Sequence, residues 1–241
     1  MKDATLITVS WNTKSVLELM LKSYVAVHYM GEPLKLMLVE NGSVDGTKQW
    51  LTDNKVPFID CMINVGHEAA VNMIYQKIDT TYALLSDTDV IFKSSVFEPI
   101  IDEVLNDKCI AAGDLIDGDN LGYAIKPRLG AWHILFNIHI MRDVEGFTKF
   151  RDTNLWNYDT GSWFYEKLTE RGYTHHQISR APGDIDRDVV GMRYPTHDHL
   201  GKMSWATSHH KDRIDEIAMR QRYVEERLKE YEHIDLKNKF I

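Results

Sequence analysis

The feature that most constrains this chain is an alternation running through its first half. Short apolar, β-rich runs take turns with stretches whose apolar residues recur every third or fourth position. Thr5 to Ser10 (TLITVS) is the first run, after which Val16, Leu17, Met20, Leu21, Tyr24 and Val25 recur at helical spacing. Leu34 to Val39 (LKLMLV) and Phe58 to Ile63 are further apolar runs, His67 to Ile78 a helical stretch, and Tyr82 to Ser86 (YALLS) a short buried strand. Helices that alternate with strands in this way must cover a sheet, so the pattern predicts an α/β fold.

Beyond the fourth run the spacing predicts a helix near Ser95 to Leu105, a strand near Cys109 to Gly113, a Gly/Asp-rich surface loop (GDLIDGDNLG), a strand over Ile134 to Met141 and a helix over Tyr158 to Arg171. Ser179 to His210 carries Pro182, Gly183, Gly191, Pro195 and Gly201 with little periodicity. An irregular segment of that length in a compact domain is read as an active-site flap. Asp212 to Tyr231 is a highly charged helix with Ile214, Ile217, Val224, Leu228 and Tyr231 near heptad spacing, packing on its own domain or forming a homodimer contact.

With 241 residues, 44% of them hydrophobic, the chain can bury one full core. A net charge of -8 argues against general attraction to nucleic acid or to an anionic membrane, while leaving room for a local basic groove. Cys61 and Cys109 lie in apolar runs and read as small core residues, which fits a reducing, cytoplasmic setting. The N-terminal apolar run is too short for a signal segment, and no run approaches the roughly 20 residues of a membrane helix.

Four clusters can carry chemistry. Asp87 and Asp89 stand directly after a buried strand; alternation along an extended chain would aim both carboxylates one way, with Thr88 pointing elsewhere, and carboxylates suit Mg²⁺ or Mn²⁺. Asp-x-Asp also occurs at Asp117/Asp119, Asp184/Asp186 and Asp186/Asp188, so position alone distinguishes the first pair. Glu40 to Thr47 (ENGSVDGT) collects amides and side-chain oxygens at a strand's carboxyl end, where open α/β sheets bind ligands. The same stretch is also good capping and turn sequence. Asn64-Val65-Gly66 with Asn72 is a turn or a polar helix face, and His197, His199, His209 and His210 are loop histidines or metal ligands.

In this order the clusters resemble the inverting glycosyltransferase family 2, over roughly residues 4 to 205. Three segments carry most of the likeness: Leu6 to Tyr24, Leu38 to Thr47 and Ala83 to Phe92. The resemblance implies a glycosyltransferase A fold: a mixed, mostly parallel central sheet flanked by helices, with a Rossmann-like nucleotide-binding half over residues 1–113, an acceptor half and flap over 114–210, and a C-terminal helical extension over 211–241. It also implies roles. Ser10, Trp11 and Asn12 match the strand end lining the nucleotide pocket; Glu40, beside Asn41, matches an acidic position contacting base or ribose. Asn64 and Gly66 match an Asn-x-Gly signature beside the nucleotide, and Asn72 the later Asn of that stretch. Asp87 and Asp89 match the DXD motif holding metal and donor, His199 (His197 next) a late histidine joining them, and Asp159, in Tyr158-Asp159-Thr160-Gly161, the general base.

The expected activity is therefore Mn²⁺- or Mg²⁺-dependent transfer from a UDP- or GDP-sugar to a glycan, lipid-linked or other hydroxyl acceptor. Rival readings are a non-catalytic nucleotide-sugar or glycan-binding module, a sugar nucleotidyltransferase and a nucleic-acid-modifying transferase. A nucleotidyltransferase generally carries a Gly-rich basic loop where this chain has Ser10-Trp11-Asn12-Thr13. Trp132, Trp156, Trp163 and Trp205 can stack on a sugar or pack in the core.

Overall fold

A computed structural model describes residues 3–102, 105–106, 108–116, 126–144, 146, 161–181, 191–201 and 214–241. Strand β1 (Ala4–Ser10) leads to helix α1 (Lys14–His28), β2 (Lys35–Glu40) to α2 (Thr47–Asp53), and β3 (Ile59–Asp60) to α3 (His67–Ile74). Then follow β4 (Tyr82–Ser86), β5 (Val90–Phe92), α4 (Glu98–Ile101), β6 (Cys109–Ile116), β7 (Arg128–Asn137), α5 (Ile138–Asp143) and α6 (Ser162–Glu170). The chain finishes with β8 (Thr174–Gln177), β9 (Met192–Arg193), β10 (His197–His199) and α7 (Ile214–Glu230).

Seven strands form the main sheet in the order β3-β2-β1-β4-β7-β6-β8, and β5-β10-β9 form a second, smaller one. In the main sheet β7 alone runs against its neighbours. The carboxyl ends of β1, β2 and β4 therefore share one edge. Side chains alternate between the faces with period two. Leu6, Leu36, Leu38, Leu84 and Leu135 bury on α1, while Ile7, Val39, Leu85, Ile134 and Phe136 bury under α3 and α6. Each such side chain contributes roughly 1.5–3 kcal/mol of apolar burial.

α7 packs on α1: Val224 is buried beside Val16 and Leu19, with Leu228 and Tyr231 against them. These positions of the heptad-like seam are therefore occupied within the protein's own domain. The chain end returns to the sheet, where the Leu36 and Ile241 amides donate to Ile241 and Leu34 carbonyls, both at 3.0 Å.

Several expected elements differ. The helix near Ser95 shrinks to the single turn Glu98–Ile101. The strand expected over Ile134 to Met141 ends at Asn137, whose side chain caps α5 by accepting the His139 amide. Apolar residues at both periods kept that junction out of the hydrophobic pattern. Cys61 and Cys109 are free thiols that are half-buried rather than core, because each sits at the end of a strand near the sheet margin. The segment read as a flap contains β9 and β10, and His197–His199 is buried along its whole length; residues 182–190 and 202–210 of it lie outside the described residues.

Candidate active site

β1 and β2, aligned in parallel from Thr5↔Lys35 to Ser10↔Glu40, deliver Ser10 and Glu40 side by side. Ser10 is fully buried, its hydroxyl 3.1 Å from that of Thr13. Glu40 is 1% exposed and one of its carboxylate oxygens accepts the Ser43 amide at 2.7 Å, which closes the turn after β2. Asn12 stitches the two strand ends: its amide donates to the Ser43 hydroxyl at 2.9 Å and its side-chain oxygen accepts the Val44 amide at 2.8 Å. Its left-handed backbone, with φ of 53°, suits an asparagine. Trp11 beside it is half-buried.

The loop after β3 folds onto this edge. The buried Asn41 side chain donates to Asn64 at 3.0 Å and accepts the Val65 amide at 3.0 Å, and the Asn64 oxygen also accepts the Gly66 amide at 2.8 Å. Gly42 makes the approach feasible: a Cβ there would lie 2.5 Å from the Ile63 carbonyl carbon. Ser10, Asn12, Glu40, Asn41, Asn64 and Gly66 are thus one hydrogen-bonded rim. Asn72 lies further along α3, its side-chain oxygen 2.8 Å from where Gly146 would carry a Cβ.

The acidic pair comes together differently from expectation. Asp87-Thr88-Asp89 is a turn between β4 and β5 rather than an extended strand, and Thr88 is buried. β10 lies antiparallel on β5 with His199 opposite Val90, and the Leu200 amide donates to the Asp89 carbonyl at 2.9 Å. This register brings the His199 Nε2 to 3.2 Å from Asp89. Asp87, Asp89 and His199 then offer ligand atoms all within 4.8 Å of one another. Two carboxylate oxygens and an imidazole suit Mn²⁺ well, and Mg²⁺ less well because of the nitrogen.

The electrostatics fit a cation. Burial raises the Asp87 pKa, His67 pulls it down, Asp89 repels it upward and His199 pulls it down again. Two crowded carboxylates in a desolvated turn are relieved by a bound positive charge. His67 was not visible as a site residue from the sequence. It is the first residue of α3, and its Nε2 lies 4.0 Å from Asp87 without a hydrogen-bond partner among the described residues. The only sequence signal for it is its place directly after Gly66.

His197 takes no part in the cluster. It stacks between His133, centroids 3.8 Å apart, and Tyr194, 4.4 Å apart. Both ring nitrogens of His133 lack hydrogen-bond partners among the described residues, and burial pushes its pKa down to about 3; burial likewise holds His197 well below the ordinary range. A folded-state pKa below the unfolded one means that stability is complete above about pH 6.5 and falls as pH drops toward the folded value. His133 alone should remove about 2 kcal/mol at pH 5. Denaturant unfolding between pH 8 and pH 5 checks this: His133→Phe should flatten the decline by about that amount, and an unchanged decline would contradict the assignment.

Asp159, the expected base, lies outside the described residues, as do Asp117, Asp119, Asp184, Asp186, Asp188, His209 and His210. No helix among the described residues is long and apolar enough to cross a membrane.

Among solved structures the fold resembles a mannosyltransferase from Pyrobaculum calidifontis in complex with GDP-Man and Mn²⁺, with a TM-score of 0.55 at 14% identity over 73% of this chain and 54% of that one. S. aureus TarS 1-349 in complex with UDP-GlcNAc matches at 0.46 and 15% identity, over 59% of this chain and 47% of that one. The galactosyltransferase LgtC with donor and acceptor sugar analogs matches at 0.49 and 16%, over 71% and 72% of the two chains. The chain thus spans about half the length of the first two. A search of curated proteins finds no match. The main sheet, with one antiparallel strand and helices on both faces, is a glycosyltransferase A fold. The sequence profile described as glycosyl transferase family 2 matches residues 5–228, nearly the whole chain, and the protein belongs to that family.

Proposed function

We propose that this chain transfers a sugar from a nucleoside-diphosphate sugar to an acceptor hydroxyl, with inversion at the anomeric carbon. The observation that carries this reading is the Asp87, Asp89 and His199 cluster at the carboxyl edge of a family 2 sheet, beside the Asn41–Asn64 rim. The rim residues Ser10, Asn12, Glu40, Asn41, Asn64 and Gly66, together with Trp11 and Asn72, are assigned to the donor nucleotide. Asp87, Asp89 and His199 would hold a divalent ion, which when bound would supply positive charge for the departing diphosphate. The acceptor oxygen bonds to the anomeric carbon as the bond to the diphosphate oxygen breaks. The hydroxyl proton passes to the Asp159 carboxylate, and nucleoside diphosphate leaves. His67, whose Nε2 lies 4.0 Å from Asp87, is assigned to the diphosphate as a hydrogen-bond donor. The acceptor is a glycan, a lipid-linked sugar or another hydroxyl compound.

The mannosyltransferase complex makes GDP-mannose with Mn²⁺ the first pair to test, followed by UDP-sugars. Thermal unfolding with each donor, with and without Mn²⁺, should show a metal-dependent rise for one nucleotide class. At a hundred times Kd the stabilisation is about 2.7 kcal/mol, or roughly 5–10 °C for a chain of this size. No shift with any donor would overturn the reading. Released nucleoside diphosphate without acceptor, by slow hydrolysis, would separate an enzyme from a binding module.

A further inference from the structure

We propose that Trp132 is the positioning residue of the cation site, and that residue 130 is glycine to make room for it. This rests on the reading of Asp87, Asp89 and His199 as ligands. A liganding histidine is usually oriented by a hydrogen bond from its second ring nitrogen. Among the described residues His199 has no such bond: its Nε2 faces Asp89, while its Nδ1 is buried without a partner there. The contact that fixes the ring is an aromatic stack. The Trp132 indole lies flat against the His199 imidazole, centroids 5.0 Å apart and planes 9° from parallel.

Trp132 also holds the second arm of the site, because its carbonyl accepts the Asp87 amide at 3.0 Å. One residue thereby touches two of the three ligands. The indole also interacts with Tyr194, whose hydroxyl donates to Asp114 at 2.7 Å. Asp114 is buried on β6 and accepts two further bonds from Arg180, both at 3.0 Å.

Gly130 and Trp132 are two apart on β7, in the stretch where its register with β6 shifts. The indole lies across Gly130, so closely that a Cβ there would sit 2.4 Å from the indole Cζ2. Any side chain at 130 must push the ring off His199.

The test is Mn²⁺ affinity of the full, nucleotide-free chain, read from free Mn²⁺ by electron paramagnetic resonance, with metal-free unfolding as the folding check. Trp132→Ala should weaken Mn²⁺ by about 10- to 100-fold, the range for residues that orient a ligand, while Trp132→Phe, which keeps a ring to stack, should recover most of it. Gly130→Ala should weaken binding like Trp132→Ala, and the double variant should be no weaker than Trp132→Ala alone, since no indole remains to displace. Wild-type affinity in Trp132→Ala would overturn the proposal, and additive losses in the double variant would overturn the part played by Gly130. If Trp132→Ala does not fold, Trp132→Phe and Gly130→Ala decide the matter by the same comparison: near-native binding in the first with loss in the second supports it, and the reverse overturns it. Failure of the wild type to bind Mn²⁺ would instead remove the metal reading on which the proposal rests.

Discussion

Asp89→Asn is expected to slow sugar transfer by about a thousandfold at saturating donor, with little change in the stability of the metal-free protein. The factor corresponds to about 4 kcal/mol, within the several kcal/mol that a cation on the leaving group supplies. Asparagine keeps the size of the side chain and a carbonyl oxygen toward the His199 Nε2, 3.2 Å away in the wild type. It removes one ligand charge of the three-residue cluster. It also removes a carboxylate that repels Asp87 upward in pKa, so the metal-free fold gives up a crowded charge rather than a supporting one. Transfer assays titrated with Mn²⁺, run beside thermal unfolding in chelator, separate the two effects. A rate near that of the wild type at saturating Mn²⁺ would show that Asp89 holds no catalytic ion. A large fall in metal-free stability would show that its role is structural.

What the sequence made legible follows from periodicity. β4 coincides with the run Tyr82–Ser86, and β1, β2 and α1 lie within one to three residues of their apolar patterns, because each buries a continuous or strictly spaced apolar face. The rim residues and the acidic pair were legible because they stand at the ends of those strands. β10 was not. Its sequence, His197-Asp198-His199, is wholly polar, and its burial depends largely on partners far along the chain: His133 and Trp132 for the rings, beside the nearby Tyr194, and Lys93 for Asp198 at 2.7 Å. No local pattern signals a buried strand made of such residues. The choice between His197 and His199 was likewise open in the sequence, since the two share one face of β10 and only the β5 register puts one of them at Asp89. His67 is a similar case, its meaning set by the path of β4 rather than by its own neighbours.

Asp159→Asn is expected to lower kcat by about 10² to 10⁴, the usual value of general-base assistance, and to leave the donor-induced rise in unfolding temperature intact. α6 starts shortly after Asp159 in sequence, at Ser162, whose hydroxyl donates to the Lys126 carbonyl at 3.2 Å, and Lys126 lies just before β7 enters the sheet. Because β7 runs against β4, its first residues lie at the edge where β4 ends in the acidic turn. Further along, α6 packs on the far end of β7 through Phe164, whose ring lies at a tilt to that of Phe136, centroids 5.5 Å apart, and through the buried Leu168. Asp159 itself lies outside the described residues, and its assignment as base rests on the family resemblance of its segment. Loss of transfer with donor binding kept is the signature of a group that acts on the acceptor proton. Loss of both would make Asp159 a donor-site residue, and full activity would require another base.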